Sequence, residues 1–187
     1  MNKNKVLLIL FCIFLPICLL LLSYKVVLGL TDLTDNQQQT ISFLQDKEEL
    51  KLNYTSSEVS HLDDVKSVMN FIDYLFYLSL LIITVILTYY KKNNKQLQKM
   101  FFYGGITTAV FIFIKLLFSL LAFNFLFTMF HKLFFPQGNW IFPTESLLIQ
   151  TFSIDFFILI SMKIFLWAFI WGLILFIISV WQKKLIR

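Results

Sequence analysis

The two histidines of this 187-residue chain, His61 and His131, are the residues best suited to acid–base chemistry. An imidazole has an unperturbed pKa of ~6.5, so it can accept or donate a proton near neutral pH. His61 begins the stretch HLDDVKSVMNFI, and His131 lies in FHKLFFPQGNW. Either histidine alone is explained as a packing or interfacial residue. Together, at one membrane boundary, they form a candidate general acid and general base.

Helical spacing places His61 on the apolar face of a helix. At 100° per residue, one narrow stripe contains His61, Val65, Val68 and Ile72. Asp64 lies at the edge of this stripe, where its carboxylate is a candidate partner for the His61 ring. We predict Ser60 as the N-cap of this helix. On a second helix, Asn124, Thr128 and His131 fall at i, i+4 and i+7 and form a polar stripe.

Metal and disulfide chemistry have little support in this sequence. Two histidines without a third ligand of matching spacing make an incomplete zinc site. Cys12 and Cys18 both lie in the first hydrophobic stretch and are not a CxxC pair. We therefore predict no metal site, and we interpret both cysteines as hydrophobic packing residues.

The composition is typical of a membrane protein. Hydrophobic residues make up 58% of the chain, which includes 23 phenylalanines. Segments of about 20 apolar residues can cross a bilayer as helices. The sequence predicts an all-α integral membrane protein with four transmembrane helices, at about residues 6–30, 71–90, 101–131 and 156–182.

Lysines predict the orientation of these helices. Lysines precede the first span, lie between the second and third, and follow the fourth together with Arg187, which predicts cytoplasmic termini. Residues 31–70 contain eight acidic residues against three lysines. We predict that residues 31–70 and 132–155 are extracellular and form a small cap. The net charge of +5 then reflects the orientation of the chain in the membrane and does not indicate nucleic-acid binding.

Two lysines, Lys115 and Lys163, lie inside predicted spans, where an unpaired charge is costly. They leave open an alternative function as a small transporter or channel, although the spans lack the paired Gly/Pro breaks of a transport site. A non-catalytic membrane adaptor is a second alternative. Lys25 and Asp73, at the outer ends of the first two spans, are predicted to pair.

The motifs HLDDVK and FHKLFFPQGNWIF, about seventy residues apart in a four-helix chain of this size, resemble the bacterial lipoprotein intramolecular transacylase (Lit) family. The resemblance implies four transmembrane helices under an extracellular cap in the bacterial plasma membrane. It also implies two catalytic histidines, which correspond to His61 and His131.

The implied reaction moves the sn-2 acyl chain of a diacylglyceryl-cysteine lipoprotein to the α-amine of the same cysteine. Its partners are the diacylated lipoprotein and membrane lipids, and no cofactor is expected. We predict that Asp64 orients His61 and that Asn139 and Trp140 line the pocket or polarise the acyl carbonyl. Phe134 and Phe135 are further candidates for substrate binding.

Overall fold

The computed structural model describes residues 2–185. Within this range the chain forms seven α-helices and no strand: α1 (Lys3–Leu30), α2 (Asp35–Leu44), α3 (Ser56–Tyr90), α4 (Asn94–Leu121), α5 (Phe123–Phe134), α6 (Leu147–Thr151) and α7 (Ile154–Leu185). Arg187 and the side chain of Lys184, two of the basic groups that predict a cytoplasmic C-terminus, lie outside the described residues.

Four of the described helices, α1, α3, α4 and α7, are long and apolar enough to cross a membrane. The predicted all-α membrane architecture with four spanning helices is therefore confirmed. The three short helices, α2, α5 and α6, lie in the connections that position the histidines.

α3 begins earlier than the sequence predicted, and its N-cap is Thr55 rather than Ser60. The Thr55 side chain accepts a hydrogen bond from the backbone N–H of Glu58, and the Glu58 carboxylate accepts one from the backbone N–H of Thr55. This reciprocal capping box satisfies two donors that Ser60 would leave unpaired. The 35 residues of α3 extend ~52 Å, well beyond the ~30 Å of bilayer hydrocarbon. Its apolar part is residues 71–90, so His61 lies outside the spanning segment.

The predicted third span, residues 101–131, consists of two helices in the structure. α4 ends at Leu121 and α5 begins at Phe123, because Ala122 has the non-helical angles φ −146° and ψ 42°. No proline or glycine lies between Gly105 and Pro136, so the sequence contains no local signal for this break. The break sets the direction of α5, and therefore of His131, independently of α4.

The spanning helices are held together by close contact between α4 and α7, with α1 packed against α3, α4 and α7. A Cβ atom added to Gly105 would lie 2.6 Å from the backbone nitrogen of Phe176 in α7. One added to Gly172 would lie 3.0 Å from the backbone nitrogen of Ala109. Small residues thus permit backbone contact between the two helices, as is common in membranes. The core around α1 consists of Phe11, Leu15, Cys18, Phe76, Ile83, Ile86, Tyr90 and Met100.

Residues 31–55 and 135–153 pack together on the first turns of α3, and we call these two segments the loop layer. Its apolar centre is formed by Leu44, Leu62 and Leu148. The Glu58 carboxylate, only 2% exposed, accepts a hydrogen bond of 2.9 Å from the backbone N–H of Leu148. This bond ties α6 to the start of α3 and fixes the loop layer on the helix that carries His61.

The charged residues of the spanning helices have different environments. The Lys25 ammonium lies 2.6 Å from the Asp73 carboxylate, which confirms the predicted pair. Lys115 is half-buried, with its Nζ 5.5 Å from the ring centre of Phe111, and Lys163 is exposed on α7. Neither lysine forms an ion pair with another residue of the described range. These positions do not favour the transporter or channel alternative.

Candidate active site

The structure brings His61 and His131 together although seventy residues separate them in the chain. His61 lies in the second turn of α3, and His131 lies in the last turn of α5. Their ring centroids are 6.2 Å apart, and the ring planes are inclined by 26°. The two imidazoles thus form a facing pair beside the loop layer.

A local hydrogen bond fixes the neutral form of His131. Its Nδ1 lies 2.8 Å from the backbone carbonyl oxygen of Phe127, one turn earlier in α5. A carbonyl oxygen only accepts, so Nδ1 must be the protonated nitrogen. The lone pair of the neutral ring is therefore on Nε2. The rings of Phe127 and Trp140, with centroids 4.0 Å and 5.0 Å away, pack against this imidazole.

His61 is almost completely buried, with 6% of its surface exposed. Phe135 contacts it edge-on at 4.8 Å between ring centroids, and Phe142 lies at 5.7 Å. Its Nδ1 is buried and forms no hydrogen bond within the described part of the chain. An unpaired buried polar atom is unusual, so this nitrogen calls for an explanation.

Burial lowers the pKa of both histidines. The pKa of His61 falls to about 4, chiefly because of desolvation and then because of the positive charge of His131, while the negative charge of Asp64 opposes the shift. Burial also lowers the pKa of His131, and its hydrogen bond to the Phe127 carbonyl opposes that shift. Both rings are consequently neutral at pH 7, and a proton on one ring disfavours a proton on the other.

A tight turn brings the end of the FPQGNW stretch back to this pair. The backbone N–H of Gly138 donates a 3.1 Å hydrogen bond to the Phe135 carbonyl, and Gly138 has a φ of +81°. Glycine adopts this left-handed conformation without the steric cost that a side chain would add. The turn returns Asn139 and Trp140 to the side of the histidines.

Asp64 lies beside the pair, but in the described structure it forms no hydrogen bond with the His61 ring, in contrast to the prediction from the sequence. Its Oδ2 accepts hydrogen bonds of 2.7 Å from Gln137 Nε2 and 2.6 Å from Asn139 Nδ2. Asn139 Oδ1 is buried and, like His61 Nδ1, forms no hydrogen bond with a described residue. The structure thus places the predicted residues near one another, but the hydrogen bonds between them differ from the predicted one.

The aromatic candidates occupy distinct positions. Phe135 is 2% exposed and contacts both histidine rings, with centroid distances of 4.8 Å and 5.5 Å. Of the two histidine rings, Trp140 packs against that of His131. Phe134 instead lines an open groove of about 460 Å³ between α3 and the end of α5, together with Asp64, Val68 and Phe71.

Sequence reasoning missed several residues of this region. Glu58 was counted only as an acidic residue, although the Thr-Ser-Ser-Glu pattern that ends in it is a capping-box signal. Phe142 and Phe127 pack on the histidines, and nothing in their local sequence distinguishes them from the other phenylalanines. No group of three or more potential metal ligands occurs among residues 2–185.

Comparison with known proteins gives one family. The family described as "Lipoprotein intramolecular transacylase Lit" matches residues 5–157. The chain is also similar to a solved structure of the membrane integral lipoprotein intramolecular transacylase Lit from Bacillus cereus. The TM-score is 0.83 at 20% identity, covering 97% of this chain and 96% of the other. A structure of the same Bacillus cereus protein with a histidine substitution gives a TM-score of 0.75 at 20% identity, covering 97% of this chain and 92% of that one. No curated protein sequence matches this chain.

Proposed function

The chain belongs to the lipoprotein intramolecular transacylase (Lit) family, and from this premise we propose that the facing His61 and His131 rings catalyse its acyl transfer. The substrate is a diacylglyceryl-cysteine lipoprotein with a free α-amine. Its sn-2 acyl chain moves to that amine and leaves an N-acyl lyso-form lipoprotein. The observation that carries the proposal is the 6.2 Å approach of the two imidazoles inside an aromatic enclosure.

Confinement is the first contribution of this site. Attack by the amine on the ester of the same molecule closes a ring through the acyl carbon, ester oxygen, two glycerol carbons, sulfur, Cβ, Cα and nitrogen. Such a medium-sized ring forms rarely in a free chain. Holding the two ends together can contribute up to ~7–11 kcal/mol in well-oriented cases. Phe135 and Trp140, which pack on the histidines, supply rigid walls for this purpose.

Proton transfer is the second contribution. The α-amine has a pKa of ~7.7–8.0 in model compounds, so the substrate arrives mostly as an ammonium. One neutral imidazole takes the first proton and frees the lone pair that attacks the acyl carbon. The other takes a second proton from the attacking nitrogen. The first imidazolium then protonates the departing glycerol oxygen, and the third hydrogen stays on the amide. The second imidazolium releases its proton to water, which restores both neutral rings.

The electrostatics of the pair suit this sequence. Both rings are neutral before the substrate binds, and the charge of His131 lowers the pKa of His61. Each proton taken up therefore favours release of a proton from the neighbouring ring, which helps the imidazolium act as an acid. No nucleophilic side chain, metal or nucleotide is needed for these steps, and we propose that the enzyme is cofactor-independent.

The decisive experiment follows the acyl chain by mass spectrometry. Two synthetic diacyl lipopeptides of different peptide mass are mixed with the purified protein, and only one has an isotopically labelled sn-2 chain. We expect the label to appear solely on the amine of its own peptide, with the same rate in a strong chelator. Label on the other peptide would contradict intramolecular transfer, and a loss of rate restored by zinc would contradict cofactor independence.

We further propose that the site lies on the extracellular side of the plasma membrane, with residues 31–70 and 132–155 as the cap and both termini in the cytoplasm. The lysine distribution supports this orientation. The acidic loop layer would then face outward, where the substrate headgroup and amine lie.

Cysteine labelling tests this orientation. With Cys12 and Cys18 replaced, Glu49→Cys should react with a membrane-impermeant thiol reagent in intact cells, and Lys95→Cys should react only after lysis. Both side chains are exposed, so access within the protein is matched. The reverse pattern would place the cap in the cytoplasm.

A further inference from the structure

Asp64, Asn139 and His61 lie next to one another, and a hydrogen bond joins Asp64 to Asn139. Asn139 Nδ2 donates a 2.6 Å hydrogen bond to Asp64 Oδ2. Asn139 Oδ1 and His61 Nδ1 are both buried without a partner among the described residues. The two residues are neighbours, and the Asn139 side chain, as an acceptor for the His61 ring, opposes the lowering of the pKa of His61. Two neighbouring residues therefore each leave one buried polar atom unpaired, and a donor on one would satisfy the acceptor on the other.

We propose that Asn139 is a positioning residue that holds His61 with its proton on Nδ1, and that Asp64 fixes the direction of the Asn139 amide. The argument starts from donors and acceptors. The Asp64 oxygen that Asn139 contacts accepts hydrogen bonds, so the Asn139 NH₂ group must face Asp64. The amide carbonyl then points the other way, and a carbonyl favours a protonated Nδ1 on His61.

The consequence is that both histidines present the same nitrogen to the substrate. The Nδ1–H of His131 donates a hydrogen bond to the Phe127 carbonyl oxygen. His61 has its Nδ1 proton directed to the Asn139 carbonyl. Each neutral ring thus offers the lone pair of Nε2, and each imidazolium is stabilised from behind by an amide oxygen. This role differs from the predicted polarisation of the acyl carbonyl by Asn139, because it uses the amide oxygen and not the NH₂ group.

The inference deepens the proposed function and rests on it, but its first test does not use activity. With only two histidines in the chain, two-bond proton–nitrogen NMR correlations of the purified protein can assign each ring, using His131→Gln to identify His61. We expect His61 to be protonated on Nδ1 in the otherwise unaltered chain. In Asn139→Ala the Nδ1 preference should be lost, because the ring no longer has its acceptor.

Two further variants separate positioning from simple packing. Gln137→Ala removes the other hydrogen bond to the same Asp64 oxygen, and the His61 tautomer should not change. Asp64→Asn introduces a side chain that can donate to the Asn139 carbonyl, so the amide is free to reverse. We expect this variant to shift His61 toward protonation on Nε2 even if Asn139→Ala folds poorly.

Kinetics complete the test. Asn139→Ala should lower kcat by ~10²-fold with little change in KM, because general acid–base catalysis loses its oriented partner. An unchanged His61 tautomer in both Asn139→Ala and Asp64→Asn would overturn the inference. Full activity of a His61→Ala protein would instead overturn the proposed function, whatever the tautomer, so the two failures are distinguishable.

Discussion

His61→Ala and His131→Ala should each lower the rate of acyl transfer by ~10²–10⁴-fold, the range that general acid–base catalysis contributes. The reason is the facing geometry: in the proposed mechanism both rings act on one substrate, and neither has a second proton carrier to replace it. Because the two groups act in one sequence of proton transfers, the double variant should be scarcely slower than either single variant. The measurement is the initial rate of N-acyl lyso-lipopeptide formation in lipid vesicles.

The control for this experiment is Lys132→Ala, which removes the exposed side chain next to His131 on the same helix. It should retain near-normal activity. Each histidine variant must also elute as a monodisperse species, so that lost activity is not lost folding. A well-folded His131→Ala protein with near-normal conversion would remove His131 from the mechanism.

The second large effect concerns the contact between α4 and α7. Gly105→Ala should destabilise the protein, because the new methyl group would lie 2.6 Å from a backbone nitrogen that no rotamer change can move. Overpacking of this kind typically costs ~1–3 kcal/mol, and here two long helices must separate. The measurement is the midpoint of thermal or denaturant unfolding in detergent.

Gly29→Ala is the control, since no atom outside its chain neighbours and its own helix backbone lies within 4 Å of the added Cβ. Both changes replace a helical glycine by alanine, which by itself favours a helix interior by ~0.5–1 kcal/mol and contributes less at Gly29, near the end of α1. The difference between the two unfolding midpoints therefore isolates the helix contact. Equal midpoints would mean that α4 and α7 are not packed as described.

Hydropathy and charge predicted the four spans because each spanning helix must present about twenty apolar residues to lipid, whatever its neighbours are. The pairing of Lys25 with Asp73 was predictable for a similar reason, since both lie at the same end of adjacent spans. The break at Ala122 was not predictable. No proline or glycine lies near it, so packing of the surrounding chain must determine where α4 stops.

The site was predictable as a set of residues but not as a set of contacts. His61 and His131 could be chosen because they are the only two histidines in the sequence. Asp64 lies one helical turn from His61, and Asn139 belongs to the motif that contains His131. That Asp64 bonds Asn139 rather than His61 depends on the turn at Gly138, which brings in residues 75 positions away. Such a long-range arrangement leaves no periodic signal in either segment.

The spacing of the two imidazoles also determines whether a proton can pass directly from one ring to the other. At 6.2 Å between centroids the rings form no hydrogen bond with each other in the described structure, and Phe135 packs against both. A proton that reaches one ring therefore has no direct path to the other. In the proposed mechanism the substrate connects the two rings, because its nitrogen gives up protons and its oxygen receives one. Proton transfer that uses both rings in this mechanism therefore requires a molecule that has both a free amine and a neighbouring ester.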